Sequence, residues 1–309
     1  MALDPIGFAA GAFRETWLQG LIWELWHWEY ISLSEFLDFA DLTVDGSLAT
    51  GGAVAVMLIQ SGMHPAVSLV FAFLAGMAAG FVTGFLHTAL GIPGILASIL
   101  TQISLYSVNL GIMGKANQSI GLTQRNLVAS SRYVTADDSV FFFVKLVAGC
   151  LILVAVVYWL FGTELGSSIR ATGCNPQMAR AQGINTNFTK VIALMISNGL
   201  VGLCGGIYAQ YQGSADVNAG RGAIVIGLAA VIISEVIFAK LCAGKKIAFA
   251  YTLAAVFVGA ILYFVAYTLV LWLGVKSDYM KLFSAFVVAV FLAIPYLKGK
   301  YAGKKRRTK

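Results

Sequence analysis

The sequence predicts an all-α, polytopic transmembrane helix bundle of about eight or nine membrane segments, with one short helix projecting from it. Three observations carry this expectation. The first is composition: 59% of the 309 residues are apolar and only 11% are charged, whereas a soluble domain is roughly half apolar and a quarter charged. A globule of this length cannot hide so much hydrocarbon from water, so the bilayer is the solvent for most of the chain. That excludes a cytosolic enzyme, a secreted module and a disordered chain. The second is the recurrence of apolar runs near the roughly 20 residues a spanning helix needs. They are too long for barrel strands and do not alternate. The third is glycine, 33 of 309 residues, which suits closely packed membrane helices.

Clear spans fall at 66–89, 92–113, 139–162, 188–211, 223–239, 247–272 and 281–297, with a weaker one at 46–62. The stretch 16–38 is irregular, because Glu24, His27, Glu29 and Glu35 interrupt it beside Trp23, Trp26 and Tyr30. Two readings stay open for residues 24–36: an interfacial helix with an aromatic belt, or a local shift of reading frame in the gene. Within 66–89, Gly76, Gly80 and Gly84 recur every four residues, with Ala72 a turn earlier. They make one smooth helix face against which a neighbouring backbone can close. Gly199, Gly202, Gly205 and Gly206 form a second smooth stretch.

The polar gaps set the sidedness. Arg170, Arg180 and Lys190 lie in 163–190, Lys240, Lys245 and Lys246 in 240–246, and Lys298, Lys300, Lys304, Lys305, Arg306, Arg307 and Lys309 in the tail 298–309. Each gap is separated from the next by two spans, so all three share one side, and the positive-inside rule makes it cytoplasmic. The gaps 114–138, 212–222 and 273–280 are mixed in sign and are expected on the outer side. The expectation is thus a multi-pass protein of the cell membrane with a cytoplasmic C-terminus. A single transmembrane domain covers 1–297 and a basic tail covers 298–309. The net charge of +7 does not point to nucleic acid, since the charges do not gather on a soluble face. Cys150, Cys174, Cys204 and Cys242 are scattered and form no CxxC pair, so neither a disulfide framework nor a zinc site is expected. His64 and His87 flank one span at its two ends, which argues against a shared metal.

The segment 163–190 is long for a connection between spans, and it carries start and stop signals. Asn175 suits an N-cap, Pro176 the first helical position and Gly183 the residue just past the end. These bound a helix of about seven residues, too short to span. Its apolar face is small (Met178, Ala179 and Ala181), so a protein groove suits it better than lipid.

The run Leu165 to Ile184, LGSSIRATGCNPQMARAQGI, resembles the cytoplasmic coupling loop of ABC importer permeases of the branched-chain amino acid, ribose and simple-sugar superfamily. Leu37 to Ala53, LDFADLTVDGSLATGGA, is similar to an early motif of an amino-acid (tryptophan/tyrosine-like) permease subgroup. The resemblance covers roughly residues 37–297. It implies a non-catalytic translocation subunit importing an amino acid or similar small polar solute, with a sugar or nucleoside as the next choice. It implies that 163–187 docks on a separate ATPase subunit through Gly166, Ile169, Arg170, Ala171, Gly173, Asn175, Pro176, Ala179, Arg180, Gly183 and Ile184. Further implied partners are a second permease copy and an extracytoplasmic solute-binding protein. The chain has no GxxxxGK[ST] loop, so no cofactor is expected in it, and ATP and magnesium belong to the ATPase. The rivals are an ATP-independent secondary transporter or channel, which would favour buried charge pairs, and a membrane-embedded enzyme.

Asp38, Asp41 and Asp45 stand among apolar neighbours beside Thr43, Gly46 and Ser47. Charges at membrane depth are costly and usually face protein or water. Asp45-Gly46-Ser47 reads as a helix break followed by an N-cap. Its free N–H groups would suit a substrate carboxylate, and nearby aspartates an ammonium. Asp41, Thr43, Asp45, Ser47, Gln102, Asn109 and Asn198 are the candidate pathway residues, with capping and interhelical hydrogen bonds as the competing account. Glu235, near the end of its span and five residues before Lys240, reads as an interfacial ion pair.

Overall fold

The computed structural model describes residues 41–121, 127–128, 148–149, 152 and 155–222, with isolated positions 224, 259, 265, 282, 285, 286, 289 and 293. Outside the described residues lie 16–38, most of 139–154 and of the three spans beyond 223, the basic gap 240–246 and the tail. Asp38, Glu235 and the irregular stretch 24–36 lie outside them too. Every element named below belongs to one compact unit, Trp28–Ala223.

Among the described residues four helices are long and apolar enough to cross a membrane. They are α1 (Thr43–Gln60), α2 (Pro65–Thr88), α3 (Gly94–Met113) and α6 (Thr186–Gln212), and they match the expected spans to within a few residues. Between α3 and α6 come strand β1 (Asn117–Ser119) and the short helices α4 (Glu164–Cys174) and α5 (Pro176–Ala181); β2 (Ser214–Asp216) follows α6. Local signals set the helix starts. His64 caps α2 by accepting from Ala66 N at 3.2 Å, with Pro65 at its first position. Asn185 caps α6 by accepting from Phe188 N at 3.2 Å.

The expected break at Asp45-Gly46-Ser47 is corrected. α1 runs through those residues and starts at Thr43. The N-cap is Leu42, without a capping side chain, and the first helical N–H, that of Thr43, donates to Asp41 Oδ1 at 2.8 Å. Asp45 instead sits in the first turn, where a carboxylate meets the positive end of the helix dipole.

α6 is the centre of the unit, antiparallel to α2 on one face and parallel to α1 on another. A methyl group added at Gly76 would strike the Asn198 carbonyl, and one at Gly80 the Leu194 carbonyl; at Gly84 it would lie 3.0 Å from Val191 Cα. On the α1 side, one at Gly51 would strike the Gly202 carbonyl and one at Gly205 the Leu48 carbonyl. The glycine stripe thus serves packing within the chain, as the small-residue rule for membrane helices anticipates. α3 rises beside α1, with Gly46 against Leu105 and Gln102. Asn198 near the middle of α6 and Gly76 near the middle of α2 lie at one level, so Ser47 and Gln102 mark the mid-depth of the bundle.

The all-α expectation has one departure among the described residues. β1 and β2 pair antiparallel, Asn117 opposite Asp216 and Ser119 opposite Ser214. The ribbon lies at the end of the bundle remote from α4 and α5, where two connections leave the helices and satisfy their backbone groups on each other. Gln60 ties it down, donating to the Ser119 carbonyl at 2.6 Å and accepting from Gln118 at 2.7 Å.

Gly80→Ala is expected to destabilise the chain by roughly 1–3 kcal/mol, since the added methyl meets backbone that cannot rotate away. Gly111→Ala, where nothing lies within 4 Å of the added methyl, is expected to hold or raise stability, by up to about 1 kcal/mol, because alanine favours the helix over glycine. Thermal unfolding of the detergent-solubilised protein compares the two.

Candidate functional site

The segment between the helical residues 155–162 and α6 is built as a tight corner and two capped helices. Thr163 ends the first run, donating to the Leu160 carbonyl at 2.6 Å and accepting from Gly166 N at 3.4 Å. A side chain at Gly166 would collide with the Leu160 carbonyl and the Phe161 backbone, so the corner closes only on glycine. Ile169 then packs with Val157, Phe161, Ala193 and Leu194, fastening α4 to α6 and to 155–162.

Asn175 separates α4 from α5 in an extended conformation, and its Oδ1 accepts from Gln177 N at 3.1 Å and Met178 N at 3.0 Å. Pro176 occupies the first position of α5. At the other end Gly183 has φ +83°. Gly183 N donates to the Arg180 carbonyl at 2.9 Å and Ile184 N to the Ala179 carbonyl at 3.1 Å, the paired bonds of a Schellman ending. The expected short helix is therefore present with its predicted start and stop, six residues long. The expectation that it stands alone is corrected: α4 adds 11 residues before it. The missed signal was Thr163 followed by Glu164, a cap with an acid in the first turn.

Burial sorts the predicted coupling residues. Gly166, Ile169 and Ala179 are buried and hold the segment to the bundle. Gly173 and Ile184 are half-buried. Arg170, Ala171, Asn175, Pro176, Arg180 and Gly183 are exposed, together with Met178 at 62%. Arg180 is steadied by donating Nε–H to Thr186 Oγ1 at 2.8 Å. This outer surface carries Arg170 and Arg180, and the apolar side chains of Leu165 and Met178 are exposed on the same segment.

The candidate pathway residues divide into two groups. Asn198 Nδ2 donates to Asp41 Oδ2 at 2.7 Å and to the Leu194 carbonyl at 3.1 Å. Ser47 donates to Asn198 Oδ1 at 2.6 Å, and the Thr43 and Thr83 hydroxyls lie 2.7 Å apart. Asp41, Thr43, Ser47 and Asn198 are all within 4% of complete burial. In this conformation they fasten α1, α2 and α6 to one another, which is the competing account given for them above. Asn109 is 1% exposed, and neither its Nδ2 nor its Oδ1 has a hydrogen-bond partner.

Asp45 and Gln102 lie elsewhere. With Gly46, Ile103, Tyr106, Ser107, Val217 and Arg221 they line a cavity of about 280 Å³ that is open on one side, Ile103, Tyr106, Ser107 and Arg221 being exposed. The chain after β2 brings Arg221 there. It runs back along α1, so that Gly220 packs on the Asp45 backbone with no room for a side chain, and Gly222 N donates to Asp45 Oδ2 at 3.2 Å. The Arg221 guanidinium lies 5.3 Å from the centre of the Tyr106 ring. Sequence reasoning placed 212–222 outside the bundle and passed over Arg221 and Tyr106. The available signal was Gly220-Arg221-Gly222, since glycines on both sides of a charge suit close backbone approach.

Comparison with known proteins follows the same line. A family described as branched-chain amino acid transport system, permease component, matches residues 31–295. A tyrosine transport system permease protein of Clostridioides difficile is 36% identical over 259 residues, 84% of this chain and 83% of that one. An uncharacterized protein of Rickettsia prowazekii is 32% identical over 268 residues, 85% of this chain and 90% of that one. An autoinducer 2 import system permease protein of Yersinia pseudotuberculosis is 30% identical over 199 residues, 62% of this chain and 53% of that one. No solved structure matches.

Asn198→Ala is expected to cost about 1–3 kcal/mol, because it leaves a buried carboxylate and a buried hydroxyl without their shared partner. Ser47→Ala, which removes a single donor, should cost about 1 kcal/mol. Thermal unfolding in detergent ranks them, and equal effects would contradict the network.

Proposed function

Since the chain belongs to the branched-chain amino acid transport system permease family, the membrane subunits of ABC importers, we propose that it conducts an amino acid and is worked by an ATPase seated on α4 and α5. Membership implies an ATPase and a solute-binding protein as partners. The amino-acid cargo is drawn from the tyrosine transport relative. The autoinducer 2 relative keeps a different small polar solute as the second reading.

The observation that carries the coupling role is the pairing of an exposed, capped face with a buried anchor in one short segment. Arg170, Met178 and Arg180 are exposed, while Ile169, one residue from Arg170, is locked between α6 and residues 155–162. A partner pulling on the exposed face therefore loads α6 directly. α6 holds α1 and α2 through backbone contact, so the pull reaches the middle of the bundle.

In this reading α4 and α5 lie in the cytoplasm and the ribbon lies outside, where a binding protein delivers solute. The basic tail is cytoplasmic, the domain extends over 1–297 in eight or nine segments, and a second copy of the chain completes the path. ATP and magnesium are held by the ATPase.

Arg170→Glu combined with Met178→Glu is expected to lower co-purification with the ATPase at least about tenfold, by placing acids where a basic and an apolar group stood. The unfolding temperature should not change, because both side chains are exposed. Undiminished co-purification would remove the docking role. Ile169→Ala is expected to retain the ATPase but to move less solute per ATP hydrolysed, measured as uptake against phosphate release in vesicles.

A further inference from the structure

We propose that the mid-depth cavity is a binding site for an α-amino acid in transit, with Arg221 receiving the carboxylate and Asp45 the ammonium. This rests on the amino-acid reading of the cargo and adds to it the residues that hold the solute.

Three independent features support it. The first is the path of the backbone. After α6 the chain turns at Gly213 (φ +71°), forms β2 and then descends beside α1 from Gly52 to Asp45, as the positions of Ala215 and Gly220 record. Non-helical backbone at membrane depth is tolerated only where protein covers it or where it borders a water-filled space. Here it borders the cavity, and Asp45 accepts one of its N–H groups.

The second is the charge. A guanidinium among spanning helices is costly and marks a function unless it is paired. Among the described residues no carboxylate forms an ion pair with Arg221; its recorded contact is the Tyr106 face at 5.3 Å. A cation over a ring keeps its N–H edge available, and that edge matches a carboxylate with two parallel hydrogen bonds.

The third is the makeup and size of the cavity. An anion receptor and a carboxylate line one space, with the Gln102 amide and the Ser107 hydroxyl beside them. Opposite charges in one small space suit a zwitterion better than a sugar. At about 280 Å³ the cavity lies just below the roughly 300–1,000 Å³ of larger ligand sites, which fits one small solute.

The test uses the complete importer, this chain with its ATPase and binding protein, in lipid vesicles. The probe is an equimolar mixture of the common amino acids, with ATP-driven uptake read by mass spectrometry. Arg221→Gln is expected to lower uptake of the carried amino acid about tenfold or more, the scale of a lost charge-assisted pair. ATP hydrolysis stimulated by the binding protein should persist. Arg221→Lys, which keeps the charge but loses the paired hydrogen bonds and the ring contact, should recover uptake only in part, to a rate between those of Arg221→Gln and the native protein. Unchanged uptake in Arg221→Gln overturns the site and leaves the cargo reading standing. Equal losses in both variants with a lowered unfolding temperature make Arg221 a structural residue and also overturn it. A native importer that takes up no amino acid removes the cargo reading, and this proposal with it.

Discussion

Everything described here depends on the direct contact of three helix backbones, with α6 pressed between α1 and α2 and no side chains at the points of closest approach. In lipid the usual gain from burying apolar groups is absent between helices, so association relies on close van der Waals contact and hydrogen bonds. Glycine permits both. Gly76 and Gly80 admit α6 carbonyls, and Gly205 and Gly51 bring α1 and α6 together. The approach is what allows side chains as short as Ser47 and Asn198 to bond across helices and to enclose the Asp41 carboxylate. A bulkier interface would separate these groups and cost the buried acid its Asn198 donor, leaving it only the local Thr43 N–H. The same contact runs along α6 from Val191 to Gly205, so its whole middle is held by its two neighbours.

Much of this was legible in the sequence because it is local. Four spans follow from apolar runs, and α5 follows from Asn175-Pro176 at its start and Gly183 at its end. The glycine repeat at four-residue spacing named the packing face of α2. What escaped depends on distance in the chain. The burial of Asp41 rather than Asp45 goes with Asn198 donating to Asp41, a partner 157 residues away that no local pattern announces. The descent of 217–222 follows from contact with Asp45, so the segment read as an ordinary connection. α4 was local and still missed, because its glycines and serines argue against a helix until Thr163 and Ile169 are seen to fix its start and its buried side.

The resemblance over residues 165–184 treats the segment as one docking surface, whereas burial separates it into two kinds of residue. Gly166, Ile169 and Ala179 face the bundle, while Arg170, Pro176, Met178 and Arg180 face away. A motif records both because either kind of change damages the segment. Only the fold distinguishes a residue that anchors the segment from one that is presented on its surface. So short a helix as α5 depends on its ends: Asn175 at the start, and Gly183 and the Arg180–Thr186 bond at the other end, each suppress fraying.

The contrast between Asp41 and Asp45 carries the argument furthest. Both are acids at the start of α1 near mid-depth. Asp41 accepts from Thr43 N and from the Asn198 amide, donors on elements that glycine contact holds in place. Asp45 accepts from Gly222 N, a donor on the same irregular segment that carries Arg221. Any shift of that segment therefore changes the surroundings of Asp45 and the position of the guanidinium together, while Asp41 is undisturbed. A solute bridging Arg221 and Asp45 would tie the segment to α1, and its departure would release both. Asp41 thus belongs to the glycine-packed frame, and Asp45 to the contact between α1 and the re-entering chain.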